Sequence, residues 1–208
     1  METTTTTLDN MEEDEDDTKD NEIMRKLWKM TDDEMLHITK LPITPVEGRL
    51  GHDRKPSKGF WYSPGSFSKS SWVSWCRYEM PEWSDPTTHQ YVACKIRETA
   101  FLPSGAPAEP TVARISTENE FHEFHKHFAC LLPIYENDYV FGIDWDRVRN
   151  EGWAGVYIDF QYDCHRVIFP RPTVASSIQD QICGWYHGWD CSSGCVWNIE
   201  AILSHRVL

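Results

Sequence analysis

Aromatic side chains gather in three stretches of this chain, Phe60 to Trp75, Trp145 to Tyr162 and Trp185 to Trp197. Ten Trp, eight Tyr and nine Phe each bring roughly 150–250 Å² that favours burial, so the three stretches must meet in a sizeable core. A chain of 208 residues with 40% hydrophobic residues has the length for one such domain and not comfortably for two. This excludes a collagen, a coiled coil and a wholly disordered polypeptide.

Charge is separated from the aromatics. Met1 to Glu22 holds ten acidic residues and one lysine, which accounts for most of the net charge of −13. The threonine run Thr3 to Thr7 and the acidic run Glu12 to Asp17 have no apolar period, so residues 1–22 are expected to form a disordered acidic tail that suits a basic partner. A globular α+β domain is expected over 23–208, opening with a short helix on Ile23, Leu27 and Met30. Without a basic, apolar leader or a run of about 18–20 apolar residues, a cytoplasmic protein with no membrane contact is expected. Seven dispersed cysteines then read as reduced, mostly buried thiols. An acidic chain is a poor sequence-independent binder of nucleic acid, whose affinity comes from clustered Lys and Arg.

The apolar segments are short. Glu34 to Thr39 predicts a strand ending before Leu41-Pro42. Pro45 to Lys58 is a long basic loop carrying Arg49, Arg54, Lys55 and Lys58, and Gly59 to Ser63 is a second strand. Ser66 is expected to cap a helix from Phe67 to Glu79 that buries Trp72, Trp75 and Cys76. His89 to Thr99 alternates as a half-buried strand, with Val92, Cys94 and Ile96 on one face. Thr111 to Ile115 is another strand. A helix from Ser116-Thr117 to Phe128 presents Phe121, Phe124, His125 and Phe128 on one face, and Asp144 caps a helix to Asn150. Gly152 to Phe160 and Val196 to Ile202 complete the strands. Short strands and few helices in irregular order make the class α+β.

Three arrangements compete for ordinary site chemistry. A structural zinc site would draw on His187, Cys191 and Cys195, but paired CxxC knuckles are absent; His122, His125 and His127 do not share one helical face, and no metal is expected. A nucleophilic thiol at Cys76 or Cys191 is disfavoured for Cys76, because desolvation raises a thiol's pKa. A carboxylate site would draw on Asp144, Asp146, Asp159, Asp163 or Asp190, of which Asp159 and Asp163 sit at a strand end.

The pair His37-x-Thr39 on a first strand, with Lys-x-x-Lys-Gly-Phe-Trp-Tyr-Ser on a second, resembles the first two motifs of the ADP-ribosyltransferase superfamily. The wider layout, with Trp72 to Cys76, Asp144-Trp145, Ala154 to Val156 and the closing Trp185 to Trp197 segment, is similar to uncharacterised proteins of bacteriophages and large DNA viruses. The superfamily resemblance implies a single domain with a split β-sheet gripping NAD. His37 and Thr39 would contact a ribose, Trp61 would stack on the nicotinamide, and Tyr62 and Ser63 would line the pocket. The loop residues Arg49, Arg54, Lys55 and Lys58, read on their own chemistry, suit a pyrophosphate or a nucleic-acid target, or form a solvated loop. The family's third motif is a carboxylate that stabilises the oxocarbenium-like ribose, and Asp159 and Glu200 are both candidates. The acceptor of ADP-ribose is unspecified. A non-catalytic nucleotide- or partner-binding module of the same fold, and a zinc-stapled interaction domain, are the alternatives.

Overall fold

The computed structural model describes residues 10–65, 71–135, 138–159, 185–186, 189 and 191–208. Helix α1 (Asn10–Leu27) leads into strands β1 (Met35–Thr39), β2 (His52–Asp53) and β3 (Phe60–Pro64). Helix α2 (Trp72–Glu79), a 3-10 turn (Pro81–Trp83), β4 (Gln90–Ile96), β5 (Glu98–Ala100) and β6 (Thr111–Ile115) follow. Then come α3 (Glu118–Phe128), β7 (Ala129–Tyr135), β8 (Asp138–Asp144), α4 (Trp145–Asn150) and β9 (Trp153–Ile158). Strand β10 (Ser193–Val196), a 3-10 turn (Ile199–Ala201) and β11 (Ile202–Val207) end the chain.

Eight strands form one sheet in the order β11-β4-β1-β3-β10-β9-β6-β5, and β2, β8 and β7 form a second sheet. The pairs β5–β6 and β6–β9 are parallel, whereas the other neighbours of the large sheet are antiparallel. Strands β4 and β5 are separated only by Arg97. The Arg97 N–H donates to Ala201 O at 2.8 Å, and its carbonyl accepts from Val112 N at 2.9 Å. The sheet therefore curls until its flanks share one stretch of chain, with β11 and β5 as its two edge strands.

Curling gives the sheet a concave and a convex face, and both are packed. Phe60, Tyr62, Cys94, Val112, Tyr157, Val196 and Ala201 form the inner cluster. On the outer side, Phe121, Phe124 and Phe128 of α3 meet Trp145 and Val148 of α4 and the β9 residues Trp153, Val156 and Ile158, together with Trp185, Trp189 and Trp197. Ile23 and Leu27 of α1 and Val73 of α2 cover Leu36 and Tyr91. All three aromatic stretches thus contribute to the core.

Helices α3 and α4 start as expected. Thr117 Oγ1 accepts from Glu120 N at 3.2 Å while Glu120 Oε2 accepts from Thr117 N at 3.0 Å, a reciprocal capping box. Asp144 Oδ1 accepts from Arg147 N at 2.9 Å. Other boundaries differ. Helix α1 begins at Asn10 rather than near Glu22, so the expected limit of the acidic tail falls within a helix. The α2 cap is Ser71, whose hydroxyl accepts from Ser74 N at 3.3 Å; the expected cap Ser66 lies outside the described residues. Within α2, Val73, Ser74 and Cys76 are buried, while Trp72 and Trp75 are half-buried. Strand β4 is buried on both faces from Tyr91 to Cys94, because the inner cluster fills one side and α1 and α2 cover the other. The expected terminal strand is interrupted by the 3-10 turn that Asn198 caps. Among the described residues no helix is long and apolar enough to cross a membrane.

Phe124 is fully buried, with ring centroids 4.9 Å from Phe128 and 5.1 Å from Phe101. Phe124→Ala is expected to lower the unfolding free energy by about 3–5 kcal/mol in urea titrations. Leu131→Ala, at a side chain left largely exposed, is expected to change it by about 0.5 kcal/mol or less.

Candidate functional site

A cavity of about 320 Å³ opens where the end of β1 passes the start of β3. Its walls include His37, Thr39, Ile43, Val46, Lys58 and Phe60. Local chemistry shapes each wall. Thr39 Oγ1 donates to Leu41 O at 2.8 Å and accepts from Leu41 N at 2.9 Å, so a single hydroxyl turns the chain out of the strand before Pro42. Ile43 then folds back onto the inner cluster. Lys58 Nζ donates to Glu47 O at 3.2 Å, holding the loop over the rim. Gly59 has φ +152°, and a Cβ there would fall 2.1 Å from Cys195 Sγ, so β3 can lie this close to β10 only with glycine at its entrance.

His37 is the polar centre of the cavity. Its ring lies 4.0 Å from the Phe60 ring, and Nδ1 is 2.5 Å from Trp61 O. A carbonyl oxygen only accepts, so Nδ1 carries the proton and Nε2 keeps its lone pair. Burial holds the imidazole pKa below its ordinary value, outweighing the opposite pull of the Trp61 carbonyl. The result is a neutral imidazole of fixed tautomer, with a hydrogen-bond acceptor available at Nε2.

The residues expected to converge on NAD are partly brought together. His37 and Thr39 share the cavity. Trp61 does not join them, because side chains alternate along a strand: Phe60 and Tyr62 face inward, and Trp61 packs on the outer cluster with its ring 5.2 Å from Trp189. The pairing of Leu36 with Ser63 places both on that outer face, and continuing the register sets His37 beside Tyr62. Ser63 is buried and its hydroxyl turns to Pro64 O at 3.4 Å. Arg54 is exposed, and its carbonyl accepts from Trp189 Nε1 at 3.3 Å. Of its basic neighbours, Arg49 pairs with Asp146 at 3.1 Å and Lys55 lies over the Trp61 ring at 5.8 Å. Glu200 sits exposed on the last 3-10 turn. Asp159 is buried and ion-paired to Arg114 at 2.7 Å.

A second polar centre lies inside the curled sheet. Tyr62 Oη donates to Glu98 Oε1 at 2.8 Å, and the Arg114 guanidinium reaches both Glu98 at 3.5 Å and Asp159. The same guanidinium stands 5.3 Å over the Tyr157 ring, which stacks on Tyr62 at 5.6 Å. Gly194 lies between these tyrosines in the sheet, and a Cβ there would meet the Tyr62 ring at 2.4 Å. Burial raises the Glu98 pKa, and nearby Asp159 adds to this, against the lowering effects of Tyr62 and Arg114. Sequence reading passed over Glu98. The available signal was its position: it continues the apolar face of Val92, Cys94 and Ile96, where a carboxylate must find partners.

The ordinary alternatives find separate partners. Burial pushes the Cys76 and Cys94 thiols up to about 12 and raises Cys195 further. His125 accepts from Trp185 Nε1 at 3.2 Å and is pushed down to about 4 by burial, with His122 adding to the effect. His127 pairs with Glu151 at 2.6 Å, and His122 with Glu118 at 3.5 Å. Among the described residues no three His, Cys, Asp or Glu side chains form a metal-binding group. The expected candidates Asp163, His187 and Asp190 lie outside them.

Because the folded state raises the Glu98 pKa, Glu98 binds a proton more tightly folded than unfolded. Its contribution to stability is fully present below the unfolded carboxyl value and is lost as pH rises through the raised folded value. Thermal melts of wild type and Glu98→Gln from about pH 4 to about pH 7 should therefore show the difference moving in favour of the Gln variant as pH rises. Parallel curves would contradict this assignment.

No family model matches the chain, and neither the curated proteins nor the solved structures contain a match to it.

Proposed function

We propose that this chain binds a nucleotide, with NAD as the leading candidate, in the cavity at His37, and that it acts as a binding module. The observation that carries the reading is the His37 Nδ1 bond to Trp61 O, which leaves an unprotonated Nε2 on a residue lining the cavity. That atom suits a ribose hydroxyl as donor. The Lys58 ammonium at the rim suits a phosphate, and Phe60, Ile43 and Val46 supply apolar walls for a base or a nicotinamide. The chain's resemblance to the ADP-ribosyltransferase superfamily points to the same ligand, and its two resembling motifs lie on neighbouring antiparallel strands.

Transfer of ADP-ribose is the second reading. It requires an ionised carboxylate beside the ribose as nicotinamide leaves. Among the described residues no carboxylate lines the cavity, Asp159 is occupied by Arg114, and Glu200 stands on an exposed turn. These facts favour binding over turnover. The split-sheet form of the superfamily belongs to this proposal too, as the architecture that the curled sheet would represent.

Calorimetry with millimolar NAD is expected to give measurable heat, accompanied by a rise in melting temperature. Losing one hydrogen bond of about 1–1.5 kcal/mol in His37→Ala should weaken binding about tenfold. Prolonged incubation should leave NAD intact. Steady nicotinamide release would establish the transfer reading instead, and absence of both heat and thermal shift would remove NAD as the ligand.

A further inference from the structure

A different surface, none of whose residues lines the cavity, presents an aromatic platform. The Trp72 and Trp75 rings stack at 4.9 Å and 16°, and the Trp83 ring lies 6.0 Å from Trp72. Trp83 keeps 48% of its surface exposed and neighbouring Tyr78 keeps 78%. Burying such rings would be favourable, so their exposure on a folded chain calls for an occupant.

The charges around the platform select its chemistry. Glu79 and Glu82 are exposed beside Trp83, and neither forms an ion pair among the described residues. Arg77, the cation on the same helix, is bound to Asp20 of α1. That contact brings α1 against α2, and Lys19 is near enough to Asp85, two residues after Trp83, to help lower its carboxyl pKa, after the larger effect of Thr87. In sequence, the stretch of α1 before Thr18 reads Glu12-Glu13-Asp14-Glu15-Asp16-Asp17. At about 1.5 Å of rise per residue, the whole acidic run lies within about 12 Å along the helix of the Asp20 contact.

We infer that this surface docks a lysine- or arginine-rich segment of a partner protein. Basic side chains lie over the tryptophan faces, where a cation is held by the ring quadrupole. Glu79 and Glu82 take the charge. A nucleic acid is disfavoured because its phosphates meet the same carboxylates. A second copy is disfavoured because two chains of net charge −13 repel each other.

Fluorescence anisotropy with the full chain and dye-labelled decamers of lysine and of arginine tests the proposal. At roughly 50 mM salt binding is expected, and at roughly 300 mM it should weaken as screening increases. Trp83→Ala, and separately the double variant Glu79→Gln/Glu82→Gln, should each lower affinity about tenfold, whereas Glu123→Gln on α3 should change it less than twofold. The double variant changes exposed side chains, so it reads the site even if Trp83→Ala folds poorly. Three outcomes would overturn the inference: no binding of either peptide, full affinity in the folded Trp83→Ala protein or in the double variant, or tighter binding of a single-stranded oligonucleotide than of the peptides.

Discussion

Closure of the large sheet at Arg97 is the constraint on which the rest depends. By serving β11 and the 3-10 turn before it on one side of this residue and β6 on the other, the β4–β5 stretch brings the two flanks together. Closure produces an inside, and an inside must be filled. Tyr62 and Tyr157 fill it by stacking across Gly194, at the only kind of residue that leaves room for their rings. Glu98 comes with the strand that closes the sheet, so a carboxylate is carried into a space walled by aromatics. Tyr62 and Arg114 are its compensation, since an unpartnered buried charge would be far costlier than the pair.

The same geometry separates the two polar centres. One is closed: Glu98, Arg114 and Asp159 satisfy one another and knit β5, β6 and the end of β9 together. The other is open: at His37 one ring nitrogen is committed to the backbone and a cavity lies alongside. Structural and ligand-directed roles for polar residues are therefore distinguished by whether their hydrogen-bonding capacity is already spent. Asp159 belongs to the first kind, despite its position at a strand end, which drew attention to it as a candidate third motif.

Much of this is legible in the sequence. The Phe121, Phe124, His125 and Phe128 spacing identifies the buried face of α3, and Thr117 and Asp144 mark helix starts because capping chemistry is local. A histidine in a short apolar strand is more often a satisfied core residue; His37 and Thr39 stand out through their company, the Gly59 to Ser63 aromatic strand that follows a long loop. The β7–β8 hairpin was not read, since Pro133 and exposed Leu131 interrupt the strand signal. Trp61 illustrates a deeper limit. Its parity relative to His37 depends on the Leu36–Ser63 register, which is set by long-range pairing rather than by either strand's residues. Glu98 was missed for a related reason: Arg114 reaches it through the β5–β6 pairing and Tyr62 from across the curled sheet, and neither contact is local in sequence.

The protonation state and reach of His37 concentrate the account into one observable. Nitrogen-15 NMR of the histidine side chains, recorded near neutral pH with and without millimolar NAD, reads both ring nitrogens directly. A proton on Nδ1, none on Nε2, and an Nε2 resonance that moves when NAD is added is the expected result. A cationic His37, a proton on Nε2 instead, or a spectrum indifferent to NAD would contradict the nucleotide-binding site described above.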